Sequence, residues 1–168
     1  MLFTTSDIYD AHAAEVGVCD VQFRCFGRVR SFAGPCSTVE TFEDPRLLGE
    51  AFDERGEGRV LVVDGGGSLR HALLGDRMAA LALRNGWAGV VLFGAVRDSA
   101  ALAAMDVGVK ALGTTARRPF LDVGGVRDVP VTLGGATFRP GDWVYADADA
   151  VLVALRRLHG GELEGSHE

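Results

Sequence analysis

Long hydrophobic runs are missing from this sequence. The longest apolar stretches, VLVV at 60–63 and AVLVAL at 150–155, are far too short to cross a bilayer, so no membrane partner is expected. Cysteine is scarce: Cys19, Cys25 and Cys36 are odd in number and show no CxxC spacing. That pattern argues against a disulfide frame or a cysteine zinc site and predicts reduced, mostly buried thiols. His12, His71, His159 and His167 include no i,i+4 pair, which argues against a histidine-built metal centre. The opening MLFTTSDIYDAH lacks a basic patch followed by an apolar stretch and a small-residue cleavage site, so no export signal is read and a cytoplasmic location is expected. Lysine is nearly absent, Lys110 being the only one among 17 basic residues, a bias from which no function is read. Base is outweighed by acid, with a net charge of −6 and a pI near 5.2, so phosphate backbones are repelled on average and no direct nucleic-acid partner is expected.

What is present describes an ordinary globular chain. At 168 residues, 48% of them hydrophobic and 24% charged, it is long enough for one domain with a single core. SDIYDAHAAE at 6–15 reads as a short helix that Ser6 can cap and that packs as a lid. RSFAGPCSTVETF at 30–42 reads as a turn leading into a strand, and Asp44-Pro45 as a cap and first position for a helix over 45–55. RVLVVD at 59–64 is a continuous β-branched run, expected of a strand buried on both faces, and GGGSLRHALLG after it reads as a loop. DRMAALALRNG at 76–86 places Met78, Leu81 and Ala82 on one helical face and stops at Asn85-Gly86. GVVLFG at 89–94 is another buried strand, SAALAAMD at 99–106 a short helix and VGVKALG at 107–113 a strand. TTARRPFLDVGGVRD is a turn-rich connection, VPVTLGGATF at 129–138 a hairpin around Gly134-Gly135, and PGDWVYADADAVLVAL a turn with two further strands.

Strand, helix and strand within about 35 residues make a βαβ unit with parallel strands and a right-handed crossover. Its helix runs back from the carboxyl edge of the sheet, so Gly75-Asp76 lies beside that edge, and Arg97-Asp98 emerges from the next strand at the same place. Open α/β sheets bind ligands there. The N–H groups around Arg77 and Met78 can hold a carboxylate or phosphate, Arg97 can fork onto a carboxylate or developing enolate, and Asp98 can ligate Mg2+ or Mn2+ through oxygen. The plainer alternatives stay open: Asp76 as a helix cap, and Arg97-Asp98 as a solvated ion pair worth about 0–1 kcal/mol.

Other motifs carry less. Arg127-Asp128 reads as surface charge and His71 as a solvated loop histidine. Asp64-Gly65-Gly66-Gly67 lacks the GxGxxG spacing of a nucleotide or methyl-donor loop and reads as a close turn. Asp142, Asp147 and Asp149 lack the closing glutamate of a calcium loop and read as turn residues.

VLVVDGGGSLRHALLGD, GWAGVVLFGAVRD, GVKALGTTARR and VTLGGATFRPGDWVYADADAV resemble the RraA-like family, from SDIYDAH to about residue 155. That family includes regulators of ribonuclease activity A and class II 4-hydroxy-4-methyl-2-oxoglutarate aldolases, and its members were once labelled demethylmenaquinone methyltransferases. Its aldolases share Gly-Asp, twenty residues, then Arg-Asp, which here is Gly75-Asp76 and Arg97-Asp98. The resemblance implies a single-domain α/β fold, layered β/β/α and swivelling-domain-like, with a central βαβ unit and antiparallel carboxy-terminal strands over 1–158, and a flexible tail at 159–168. It implies that Asp98 holds a divalent metal (Mg2+ or Mn2+), that Arg97 contacts a pyruvyl group, that Gly75, Asp76, Arg77 and Met78 receive its carboxylate, and that Asp76 positions a water. A small 2-oxo acid substrate, oxaloacetate decarboxylation at the same site and a homotrimer follow as expectations. The competing expectation is a non-catalytic regulator whose partner is a ribonuclease.

Overall fold

The computed structural model describes residues 3–119 and 123–159. Its elements in chain order are α1 (Thr5–His12), β1 (Val16–Cys19), β2 (Arg24–Cys25), β3 (Phe32–Thr41), α2 (Arg46–Phe52), β4 (Val60–Asp64), β5 (Ala72–Leu74), α3 (Asp76–Arg84) and β6 (Gly89–Val96). Then come α4 (Ser99–Leu102), β7 (Gly108–Thr114), β8 (Gly125–Arg127), β9 (Val131–Leu133), β10 (Ala136–Phe138), β11 (Trp143–Ala146) and β12 (Val151–Ala154).

One mixed sheet organises them in the order β1-β12-β11-β3-β4-β6-β7-β2, with β5 added to β6 and β8 to β3. The strands β3, β4, β6 and β7 are mutually parallel, whereas β11, β12 and β1 are antiparallel. β3 belongs to both regimes: Phe32–Pro35 pairs antiparallel with β11, and Cys36–Glu40 pairs parallel with β4. Pro35 sits where the two regimes meet, where a residue without an N–H interrupts the ladder least.

Side-chain alternation explains burial on both faces. Leu61, Val63, Val90 and Leu92 pack with Leu48 and Phe52 of α2 and with Ala79 and Ala82 of α3. Their neighbours Val60, Val62 and Val91 pack the opposite way, onto Val131, Leu133 and Phe138 of the β9–β10 hairpin. The layers are therefore hairpin, sheet and helices, the expected β/β/α order. Phe32 sits over a floor made of glycine: a Cβ on Gly108 would stand 2.1 Å from its ring. α1 lies over β11 and β12, where Phe3 and Ile8 meet Tyr145 and Leu152, so it is a lid on that end of the sheet. No helix among the described residues is long and apolar enough to cross a membrane.

Several boundaries differ from expectation, each for a local reason. α1 is capped by Thr4, whose hydroxyl accepts the Asp7 N–H at 3.1 Å, rather than by Ser6, and it ends at His12. α2 is shorter than 45–55; Pro45 occupies its cap position, and Asp44 Oδ1 takes the Arg46 N–H at 3.1 Å from one residue earlier. α4 stops at Leu102, and the connection 114–128 contains strand β8. β1 and β2 were not anticipated. Cys19, Cys25 and Cys36 are unpaired, and Cys19 and Cys36 are buried; burial pushes the Cys36 thiol up to about 12. Residues 160–168, most of the expected flexible tail and including His167, lie outside the described residues, as do residues 120–122.

Candidate active site

The stretch expected to be a loop before α3 contains the strand that builds the site. β5 runs parallel to the carboxyl end of β6, with Ala72 opposite Ala95 and Leu74 opposite Val96. The Arg97 N–H donates to the Leu74 carbonyl at 2.9 Å, and the Ala72 N–H donates to the Arg117 carbonyl at 2.9 Å. These two bonds draw the start of α3, the end of β6 and the Arg117–Pro119 segment around one opening.

Asp98 stands at the cap position of α4 in a left-handed conformation, φ 57° and ψ 41°. Aspartate tolerates that region better than most residues. Its carboxylate does not cap α4. Instead Oδ2 accepts the Asp76 N–H of α3 at 3.1 Å, while Oδ1 lies 3.7 Å from Arg97 Nε. The Asp76 N–H, helped by the Asp76 side chain and the Arg97 guanidinium, holds the Asp98 carboxyl below its usual range against the effect of burial. The carboxylate remains 33% exposed and so open to a ligand. Gly75 is what allows this approach, since a Cβ there would stand 2.8 Å from Asp98 Oδ2.

Asp76 is thus the first residue of α3, and the cap position belongs to Gly75. The expected role of Asp76 as helix cap is corrected: its backbone, not its side chain, makes the key bond. Arg77 and Met78 follow in the first turn, where N–H groups have no carbonyl four residues back to bond. They line the same open cleft, of about 710 Å3, as Gly75, Asp76, Arg97 and Asp98. The six residues singled out from the sequence therefore converge.

The donor set fits a hard cation and not a soft one. Among the described residues no three His, Cys, Asp or Glu side chains form a cage for a metal. Asp98, with Asp76 beside it, is the kind of one- or two-carboxylate set that suits Mg2+, which keeps several waters and takes further oxygens from a substrate.

Three residues of the surroundings were not legible. Arg118 and Pro119 line the cleft from a segment read as a plain connection. His71, expected to be solvated, is only 17% exposed: Nδ1 lies 3.3 Å from the Arg118 carbonyl, and Nε2 lies 3.6 Å from Glu43 Oε2. A carbonyl only accepts, so the bond to Arg118 puts a proton on Nδ1. Glu43 is itself buried in a left-handed conformation, φ 56°. Its Oε1 accepts from Ser68 Oγ at 2.7 Å and Arg70 Nε at 2.9 Å, and these partners, with His71, hold the carboxyl below its usual range.

The remaining motifs resolve as structure. Gly66 and Gly67 have positive φ, and the N–H groups of Gly65 and Gly67 both donate to the Phe93 carbonyl, so the Asp64–Gly67 stretch is a close turn as expected. Arg127 is not surface charge: it is 17% exposed and donates twice to the Glu54 carboxylate. Asp142 and Asp147 accept backbone N–H groups within their own turns.

A family model described as RraA-like, Aldolase/RraA, matches residues 5–153. The chain is 52% identical over 158 residues to a protein of Alkalilimnicola ehrlichii named "Putative 4-hydroxy-4-methyl-2-oxoglutarate aldolase", covering 94% of this chain and 98% of that one. A protein of Burkholderia mallei with the same name is 51% identical over 159 residues, covering 92% and 96%. Two solved structures superpose with a TM-score of 0.91. One, described as an S-adenosylmethionine:2-dimethylmenaquinone methyltransferase from Geobacillus kaustophilus, is 46% identical and covers 93% of this chain and 97% of its own. The other, described as the RNA-processing inhibitor RraA from Thermus thermophilis, is 39% identical and covers 96% and 98%.

Proposed function

The chain belongs to the RraA-like family, and on that premise we propose that it is a divalent-metal-dependent lyase that cleaves 4-hydroxy-4-methyl-2-oxoglutarate and also decarboxylates oxaloacetate. The observation that carries this reading is the meeting of the α3 start with Arg97-Asp98, joined by the bond from the Asp76 N–H to Asp98 Oδ2, in an open cleft. The names of the relatives from Alkalilimnicola ehrlichii and Burkholderia mallei support it.

In the aldol cleavage the bond between C3 and C4 breaks, the C4 hydroxyl loses its proton and becomes the carbonyl of one pyruvate, and C3 keeps the electron pair as the enolate of the other. Decarboxylation of oxaloacetate breaks the corresponding bond, releases carbon dioxide and leaves the same enolate. Both enolates are finished by a proton delivered to C3. A divalent cation held by Asp98 would supply Lewis-acid stabilisation of that enolate. The Arg97 guanidinium donates to the oxygen where negative charge develops, which counts most in the transition state. The Arg77 and Met78 N–H groups at the positive end of α3 receive the carboxylate and fix the pyruvyl group. The Asp76 carboxylate orients a water that moves the proton, since no histidine lines the cleft among the described residues.

The test is pyruvate release from both substrates with Mg2+, Mn2+ or EDTA, with spontaneous decay subtracted. Turnover that needs metal and disappears in Arg97→Ala is expected; turnover that survives EDTA or the substitution would overturn the reading. A second reading has one observation in its favour, the 0.91 superposition on the Thermus thermophilis RNA-processing inhibitor. On that reading the chain binds a ribonuclease, and co-purification with one in the absence of metal-dependent turnover would favour it. A homotrimer goes with either reading, and sedimentation equilibrium measures it.

A further inference from the structure

The cleft holds more positive charge than a pyruvyl group uses. Arg77, Arg97 and Arg118 line it against Asp76 and Asp98. Arg97 faces Asp98 loosely at 3.7 Å, and among the described residues neither Arg77 nor Arg118 has an ion-pair partner. Once the carboxylate of a pyruvyl unit lies on the α3 N–H groups and its carbonyl on Arg97, the Arg118 guanidinium still has no counter-charge among the described residues.

The backbone under Arg118 is held with unusual care. Its neighbour Arg117 is tied through its carbonyl to Ala72 N–H, and its own carbonyl meets His71 Nδ1 at 3.3 Å. His71 backs onto Glu43, which is 1% exposed and accepts from Ser68 and Arg70. A buried carboxylate on a left-handed backbone costs stability wherever it stands. Here the cluster steadies one short segment of the cleft wall. β5 ties the two walls of the cleft together: Leu74 is bonded to Arg97 at one end, and Ala72 to Arg117, the neighbour of Arg118, at the other.

We infer that Arg118 is the specificity-determining residue that binds the second carboxylate of a dicarboxylic 2-oxo acid, and that His71 and Glu43 are its positioning residues. The inference rests on the pyruvyl reading of the Arg97-Asp98 cleft and adds to it the residue that meets the second carboxylate both proposed substrates carry. An arginine is suited to this because its planar fork pairs with a carboxylate through two parallel N–H donors.

The experiment compares 4-hydroxy-4-methyl-2-oxoglutarate and oxaloacetate with the monocarboxylic 4-hydroxy-2-oxopentanoate, in wild type, Arg118→Ala and Arg118→Lys. Arg118→Ala should lower kcat/KM for 4-hydroxy-4-methyl-2-oxoglutarate by about 10- to 100-fold, mainly through KM, raise KM for oxaloacetate, whose second carboxylate leaves as carbon dioxide, and leave the monocarboxylate within about twofold. Arg118→Lys should recover part of the loss. Equal losses on all substrates, or none on any, would overturn the assignment. His71→Ala should reproduce the selective KM effect, and His71→Asn, which keeps a donor for the Arg118 carbonyl, should restore it; a His71→Ala effect on kcat for every substrate would mark a structural role instead. If the wild type turns over none of the substrates, the lyase reading falls and calorimetry decides the inference separately. With Mg2+ present, Arg118→Ala should then weaken 2-oxoglutarate binding while sparing pyruvate. Equal weakening of both, or no binding of either to the wild type, overturns it.

Discussion

Substituting alanine for Gly75 perturbs the site by a single methyl group. The backbone there, φ −130° and ψ −168°, is one that alanine adopts without strain, so the cost comes from what the methyl meets. A Cβ would stand 2.8 Å from Asp98 Oδ2, whereas ordinary contact begins at 3.4 Å, so the carboxylate must retreat by about 0.6 Å. Such a retreat stretches the 3.1 Å bond from the Asp76 N–H beyond hydrogen-bonding range. Because Asp98 is a third exposed and water replaces the lost donor, stability should fall by about 1 kcal/mol or less, a shift in Tm of about 2–4 °C. Activity should suffer far more, since a misplacement near 1 Å in a catalytic group costs about 100-fold; we expect kcat/KM for pyruvate release to drop about 10- to 100-fold. With its principal donor gone, the Asp98 carboxyl should also titrate at higher pH, which carbon-13 NMR of labelled aspartate reads directly. Wild-type kcat/KM in Gly75→Ala would refute the reasoning, and so would a collapse in Tm by more than about 10 °C, which would make Gly75 a folding residue.

Three further outcomes concern stability. Asp147 is 7% exposed and accepts Thr5 N–H and Thr5 Oγ1, each at 2.7 Å, as well as the Asp149 and Ala150 N–H groups; Asp147→Ala should cost about 1–3 kcal/mol by denaturant unfolding, and a loss under about 0.5 would show that α1 is anchored otherwise. Burial, with Arg157 nearby, lowers the pKa of His159, whose Nδ1 lies 2.8 Å from the buried Tyr145 hydroxyl, so the folded state favours the neutral ring. The unfolded chain then binds the extra proton first: this contribution is complete above about pH 6.5 and falls away as pH drops through the folded-state value, so Tm should decline below that pH in wild type and decline less in His159→Gln. Lys110 is 2% exposed and has no ion-pair partner among the described residues; Lys110→Met should leave stability unchanged or raise it by about 1–2 kcal/mol, and a loss of more than 1 kcal/mol would show that the ammonium is satisfied.

What could be read from the sequence followed local chemistry. VLVV and GVVLF are short, β-branched and aromatic runs whose length and composition favour buried strands, and DRMAALALRNG carries its own stop, so β4, α3 and β6 and the meeting of Asp76 with Arg97 and Asp98 were legible. β5 was not: Ala72–Leu74 is three residues long, between a polar stretch and a glycine, and is a strand only because the end of β6 is there to pair with it. β1 and β2 are equally dependent on distant partners, β12 and β7. The Glu43–His71–Arg118 chain joins residues far apart in sequence through side chains, and no periodicity records such a link. The left-handed backbones of Glu43 and Asp98 are fixed by tertiary contacts and leave no signal in composition.

The division of β3 between two pairing regimes bears on how the chain is made. Residues Cys36–Glu40 find their parallel partner in β4, only a short helix later, whereas Phe32–Pro35 must wait for β11, and β1 for β12, which pairs Val16 with Ala154. During synthesis the half of the sheet that carries the cleft can assemble while one flank of β3 stays bare, an open edge of the kind that recruits other nascent chains. Pro35 in that flank denies a passing strand one of the bonds it would need. The slow steps of folding should therefore be the last pairings of the antiparallel end, the contacts most distant in sequence, and the half that carries the cleft should be formed before the molecule as a whole is finished.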